Sequence, residues 1–169
     1  MDTATVWGLV ITFLGTAASF WGAWVSYQQA DLSKNSANEA KRAIGQIVNQ
    51  RHTSDLAELK VHCELAQKSM EQYGPGASKA SLQGVNPEKD AEKVRTLLLE
   101  ANKNSALFQH GESAIFIGKI TPLLDVFIQS KELSRIQKNG SAVLMEVSDF
   151  LAVVKARHDT RRESTASQA

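Results

Sequence analysis

From Thr3 to Ala30 the chain runs for 28 consecutive residues without an Asp, Glu, Lys or Arg, and Asp2 is the only charge before them. The other 36 of its 37 charged side chains fall in the 139 positions from Asp31 onward. This asymmetry constrains the fold more than any average property does. Residues 6–27 (VWGLVITFLGTAASFWGAWVSY) are 22 in number, about 33 Å as a helix at ~1.5 Å per residue, which matches a ~30 Å hydrocarbon core. Trp7 stands near one end of the run, and Trp21, Trp24 and Tyr27 near the other, where membrane interfaces favour amphipathic rings. A secretory signal would open with Lys or Arg and have a shorter apolar core; MDTAT offers neither. As a soluble helix the segment would have to be buried on every side, and 169 residues cannot form a core large enough for three Trp there. Residues 1–30 are therefore expected to form a single transmembrane helix. No second long apolar run exists, which argues against a polytopic transporter, and the length suits one domain.

Basic residues near the segment set its orientation. None precede it, whereas Lys34, Lys41 and Arg42 follow. The expectation is a bacterial inner-membrane protein with its N-terminus outside and its C-terminal domain in the cytoplasm. A lone cysteine, Cys63, cannot form an internal disulfide, in keeping with a reducing compartment.

Within the span, Gly8, Thr12, Gly15, Ser19, Gly22 and Ser26 recur at spacings of 4, 3, 4, 3 and 4. Helices in lipid associate by close backbone approach and side-chain hydrogen bonds, so a stripe of small residues predicts a contact face. A period of 3.5 favours a left-handed crossing. The reading is a homo-oligomerisation seam, continued in phase by Gln29, Ser33 and Ser36.

Residues 31–53 read as a polar helical stalk, residues 54–158 as a small cytoplasmic helical bundle, and residues 159–169 as a disordered tail. The fold class expected is all-α. Thr53 or Ser54 offers an N-cap for a fresh helix. That helix carries the stripe Leu56, Leu59, Cys63, Ala66, Met70 and Tyr73, and GPG at 74–76 stops it. Asn86 and Pro87 begin the next helix, which buries Ala91, Val94, Leu97, Leu98 and Ala101. AIFIGKI at 114–120 suits either a strand or a helix with Phe116, Ile120, Leu123 and Phe127 on one face. With no second strand to pair with it, helix is favoured. Leu133 and Ile136 extend this element until Asn139-Gly140 ends it, and a last helix from about Ser141 buries Leu144, Val147, Phe150, Leu151 and Val154.

Chemistry-bearing motifs are sparse. Glu58 and His62 are one turn apart beside Cys63, but without CxxC, HxxxH or HExxH a metal site is not favoured. No catalytic constellation stands out, so the chain is read as a non-enzyme without a cofactor. The nearest thing to a phosphate cradle is the loop GPGASKAS at 74–81, where Ser78 and Lys79 could meet an anion, with Lys89 and Lys93 adding charge from the next helix. From Gly74 onward there are 13 basic and 11 acidic residues, too even a balance for DNA or long RNA. Lys155, Arg157, Arg161 and Arg162 form the densest basic cluster, diluted by Asp159 and Glu163. A small anionic nucleotide needs only two or three donors and is the ligand class retained. The partners expected are the lipid bilayer, further copies of the chain and such a ligand.

The layout of VWGLVITFLGTAASFWGAW followed by a polar helix and a small helical domain is similar in architecture to small membrane effectors of bacterial antiphage defence. These include the type III CRISPR membrane proteins that respond to cyclic oligoadenylate. The resemblance implies a cytoplasmic domain that senses a nucleotide and membrane helices that rearrange into a pore or disrupt the bilayer. It implies a role for no individual residue. The alternative expectation is a passive single-pass adaptor that recruits a protein partner to the inner membrane.

Overall fold

A computed structural model describes residues 3–78, 82 and 84–166; for residues 3–14, 17, 18 and 164–166 it describes the backbone alone. The described residues are all-helical. Four α-helices follow in order, α1 (Thr3–Met70), α2 (Pro87–Lys103), α3 (Glu112–Gln129) and α4 (Leu133–Ala166), with 3-10 turns at Glu71–Tyr73 and Ser105–Leu107. The chain divides into two compact units, Met1–Ile47 and Val48–Ala169.

In the first unit every side chain described, from Gly15 to Ile47, is exposed. Among the described residues no helix is long and apolar enough to cross a membrane. The side chains of residues 6–14, 17 and 18 lie outside the described residues, so the expected span stands on the sequence alone. Trp21 is 75% exposed and Tyr27 77%.

Helix α1 has no fresh start at 51–55, contrary to the sequence expectation. No Gly or Pro occurs between Gly45 and Gly74, so nothing obliges the backbone to leave the helix. Thr53 does not cap; its hydroxyl donates to the Asn49 carbonyl at 2.9 Å, the back-bonding open to Thr inside a helix.

The second unit is built on the stripe that begins at Leu56. Leu56, Leu59, Cys63, Ala66, Met70 and Tyr73 are all fully buried. They meet Ala91, Val94, Leu97 and Ala101 of α2, Phe116, Ile120, Leu124 and Phe127 of α3, and Val143, Val147, Phe150, Leu151 and Val154 of α4 in one core. Leu98 and Leu144 are half-buried at its edge. Gly76, at φ +97°, makes the left-handed turn that leads the chain out of α1. Asn86 caps α2 as expected, its Oδ1 accepting from the Lys89 N–H at 3.1 Å, and Pro87 occupies the first turn.

Residues 114–120 are helical, inside α3. Pro122 stays within that helix; it and Gly118 are both exposed, so the Gly118 carbonyl that loses its partner can be hydrated. Two boundaries differ from expectation. The break between the last two helices falls at 130–132, not at Asn139-Gly140. There Ser130 adopts ψ 126° and its hydroxyl donates to the Val126 carbonyl at 2.7 Å. Asn139 and Gly140 lie inside α4, with Asn139 Nδ2 donating to Ser130 Oγ at 2.8 Å. Gly140 is there for packing. A Cβ at that position would come within 2.6 Å of Tyr73 Cβ and Cγ and 3.0 Å of Phe127 Cε2. The second difference is the polar tail. Helix α4 continues to Ala166, and Ser167 to Ala169 lie outside the described residues. Its late turns are fastened to the bundle: Arg157 donates to Glu112 Oε1 at 2.6 Å, and an Arg161 nitrogen lies 3.3 Å from His52 Nδ1.

Candidate functional site

The loop between α1 and α2 is the candidate anion cradle of the sequence, and its ends are firmly placed. At the α1 end, Tyr73 is buried with its ring edge-on to Phe127, centroids 4.9 Å apart. The Tyr73 hydroxyl donates to Asp90 Oδ2 at 2.8 Å, and Gln72 Nε2 donates to the same oxygen at 2.5 Å. Ser69 donates to the Ala66 carbonyl at 2.8 Å beside them. Burial pushes the Tyr73 hydroxyl above its ordinary range, and the Asp90 carboxylate that accepts its proton adds to the rise. From the other side Gln137 of α4 donates to the Ala77 carbonyl at 2.9 Å, and Leu82 is buried in the core. Sequence reasoning missed this Tyr73–Asp90–Gln72 cluster. The one signal available was a Tyr closing an otherwise apolar stripe, since a buried phenol requires an acceptor.

Ser78 is exposed in the loop, Lys79 lies outside the described residues, and Lys89 and Lys93 are exposed on the opening turns of α2. The two grooves described below are lined by other residues. Asp90, adjacent to Lys89, is committed to Tyr73 and Gln72.

Of the oligomerisation seam, Gly15, Ser19, Gly22 and Ser26 are exposed, whereas the side chains at Gly8 and Thr12 lie outside the described residues. A Cβ built on Gly15 or Gly22 meets nothing within 4 Å, and Ser19 Oγ donates back to the Gly15 carbonyl at 2.9 Å. The backbone there is bare enough for another helix to approach.

The larger groove, about 460 Å³, lies at the turn between α3 and α4, with Val126, Gln129, Ser130, Lys131, Glu132, Arg135 and Asn139 as its lining. Arg135 pairs with Glu132 at 3.1 Å. A smaller one, about 180 Å³, lies between α3 and α4, with Ile115, Phe116, Phe150 and Val153 as its apolar lining and Glu112, Lys119, Glu146 and Asp149 around them. Phe116 and Phe150 stack flat there at 4.0 Å. Lys119 reaches Glu146 at 3.6 Å. Arg157 holds the Glu112 carboxyl below the usual carboxylate range.

Cys63 is fully buried, and burial pushes its thiol up to about 12, with Glu64 adding to the shift and Lys155 opposing it. Such a thiol stays protonated at neutral pH, which makes it a poor nucleophile. Among the described residues no three His, Cys, Asp or Glu side chains are placed to hold a metal ion. No family model, curated protein or solved structure matches this chain.

Proposed function

We propose that the chain is a membrane-anchored, self-associating effector. Its N-terminal helix lies in the bilayer, its bundle faces the cytoplasm, and a small anionic ligand acts on the bundle to change how the membrane helices meet. The observation that carries the anchoring is the uncharged run 3–30, whose described aromatics, Phe20, Trp21, Trp24 and Tyr27, are all exposed. Surfaces of that kind need lipid or a partner. Self-association is supported by the bare backbone at Gly15 and Gly22. The ligand part is supported by the loop 74–86. Its fastening by Tyr73–Asp90 on one side and Gln137–Ala77 on the other would make occupancy of the loop bear on α1, α2 and α4 together. A ligand shifts such an arrangement only by binding one form of it better than another.

Anchoring is tested by alkaline extraction of membranes from cells expressing the full chain, with protease digestion of spheroplasts. Retention in the pellet, with a C-terminal tag protected, is the expected result; release into the supernatant would sink the anchoring. Cross-linking in the same membranes tests the seam. Gly15→Leu and Gly22→Leu should each abolish the oligomer, and unchanged cross-linking in both would remove the seam from the proposal. A panel of mononucleotides and cyclic oligonucleotides, added to the full chain in detergent and read by thermal shift, tests the ligand. Silence across the panel would count against a nucleotide.

The smaller groove favours a second reading, that of a membrane adaptor. Its apolar lining and acidic surroundings suit the apolar side chains of a docking protein segment. Replacing the N-terminal helix with an unrelated membrane helix should leave an adaptor working and inactivate an effector.

A further inference from the structure

The stalk of α1 carries a face that shares Ser33 with the continuation of the small-residue seam and turns partly away from it. Ala30, Ser33, Ala37, Ala40, Ile44 and Ile47 follow one another at intervals of 3, 4, 3, 4 and 3. This is a heptad pattern in which the two inner positions of each repeat are small until the last repeat supplies two isoleucines. All six are exposed, Ile44 by 62% and Ile47 by 64%. A helix in water gains little from its own hydrogen bonds and depends on burying a face. Over these residues the chain itself covers none of that face.

From this we infer that residues 30–47 form a parallel coiled coil with further copies of the same chain. The inference rests on the self-association proposed above, though not on the membrane anchoring, and it extends the contact beyond the bilayer. The self-association proposed above supplies the second copy, and charge placement argues for the parallel orientation. Lys34 and Lys41 flank the face on one side, while Gln29, Ser36 and Ala43 flank it on the other. Parallel copies set each lysine beside an uncharged neighbour. Antiparallel copies bring the lysine edges of the two helices together, which like charges oppose. The small residues at 30–40 permit close backbone approach, and Ile44 and Ile47 supply the apolar area that the alanines lack.

Single cysteines introduced into the full-length chain with Cys63→Ala as background, in membranes or detergent, test this under mild oxidation. Ala37→Cys, Ala40→Cys, Ile44→Cys and Ile47→Cys lie on the face; Asn35→Cys and Arg42→Cys lie on the opposite side as controls. In a parallel coil each face position meets its own counterpart. All four should therefore form disulfide-linked dimers several-fold more than the controls. Equal yields at face and control positions would overturn the coiled coil. Strong linkage at one face position with loss at the others would overturn its parallel sense. Because Ile44→Cys and Ile47→Cys remove apolar area, the two alanine positions decide the outcome if those variants assemble poorly. Ile44→Asp combined with Ile47→Asp should suppress linkage through Ala40→Cys, and unchanged linkage would again overturn the inference. Ser26→Cys, on the seam of the span, separates this inference from the self-association it rests on. A flat pattern over 35–47 with Ser26→Cys still linking overturns the coil alone, and a flat pattern without that linkage overturns the self-association as well. Alkaline extraction of the same samples reads the anchoring separately, and a face pattern in extractable protein overturns the membrane anchor while supporting the coil.

Discussion

Gly140 lies so close under Tyr73 that a methyl group in place of its α-hydrogen would come within 2.6 Å of the tyrosine's Cβ and Cγ. The contact joins the 3-10 turn that follows α1 to the interior of α4, and the Tyr73 ring in turn packs edge-on against Phe127 of α3. Three helices are thus registered against one another at a single residue without a side chain.

Gly140→Ala should therefore destabilise the bundle, although alanine is the better helix former. Overpacking of a filled core costs about 1–3 kcal/mol, more than the ~1 kcal/mol that helix propensity returns. The opposite sign is expected at Gly118, where a Cβ meets nothing within 4 Å. There Gly118→Ala should raise the midpoint of thermal unfolding, since the preference is unopposed. Circular dichroism melts of the two variants check both signs together.

Tyr73→Phe keeps the ring against Phe127 but removes the donor to Asp90. Asp90 retains Gln72 and can recruit water, so the expected loss is about 1–2 kcal/mol. Asp90→Ala should cost at least as much, because it leaves the buried-side phenol without its acceptor. A double-mutant cycle in urea should return a coupling energy clearly above zero; additive losses would show that the two groups act separately.

The Cys63 thiol ordinarily loses its proton near 9.0 and in the folded chain is pushed up to about 12. Between those values the folded state holds a proton that the unfolded state has released. Stability is therefore intact below pH 9 and falls as the pH rises toward 12. Cys63→Ala should flatten that alkaline limb while lowering stability at neutral pH through the lost packing. In the wild type a thiol reagent at pH 8 should label Cys63 only as fast as the bundle opens.

Glu112 shifts in the other direction. Arg157 holds its folded-state value below the ordinary 4.5, so the pair's stability is present above pH 4.5 and lost as the pH falls through the lower folded value. Both side chains remain partly in water, 28% exposed for Arg157 and 24% for Glu112, and solvent screening limits the effect to about 1 kcal/mol or less. Glu112→Gln should cost stability at pH 7 and little at pH 3, with the neutral-pH difference shrinking in high salt.

The parts of the fold legible in the sequence are those set by local rules. The stripe Leu56 to Tyr73 follows from helical periodicity, and the start of α2 from Asn86 and Pro87. Where a residue's role is decided by a distant neighbour, local rules mislead. Asn139-Gly140 has the form of a helix stop, yet Gly140 is required by the Tyr73 ring, and the stop falls at Ser130 without a glycine. The polar residues at 159–166 resemble a free tail because their partners, such as His52 of α1, are far away in sequence. For the proposed anion residues the sequence supplies residue type alone; Ser78, Lys89 and Lys93 are exposed, and Lys79 lies outside the described residues.

The boundary at Ile47 divides one helix by the kind of equilibrium that maintains it. Residues 48–70 are held by their own chain, so their helicity is a first-order property, indifferent to dilution. The segment before Ile47 buries no described side chain in its own chain. Any packing that stabilises it must come from elsewhere, and through other copies its order would rise with concentration. Dilution should thus loosen α1 between the proposed span and the bundle, over residues 31–47, making that stretch a gauge of how many copies are near.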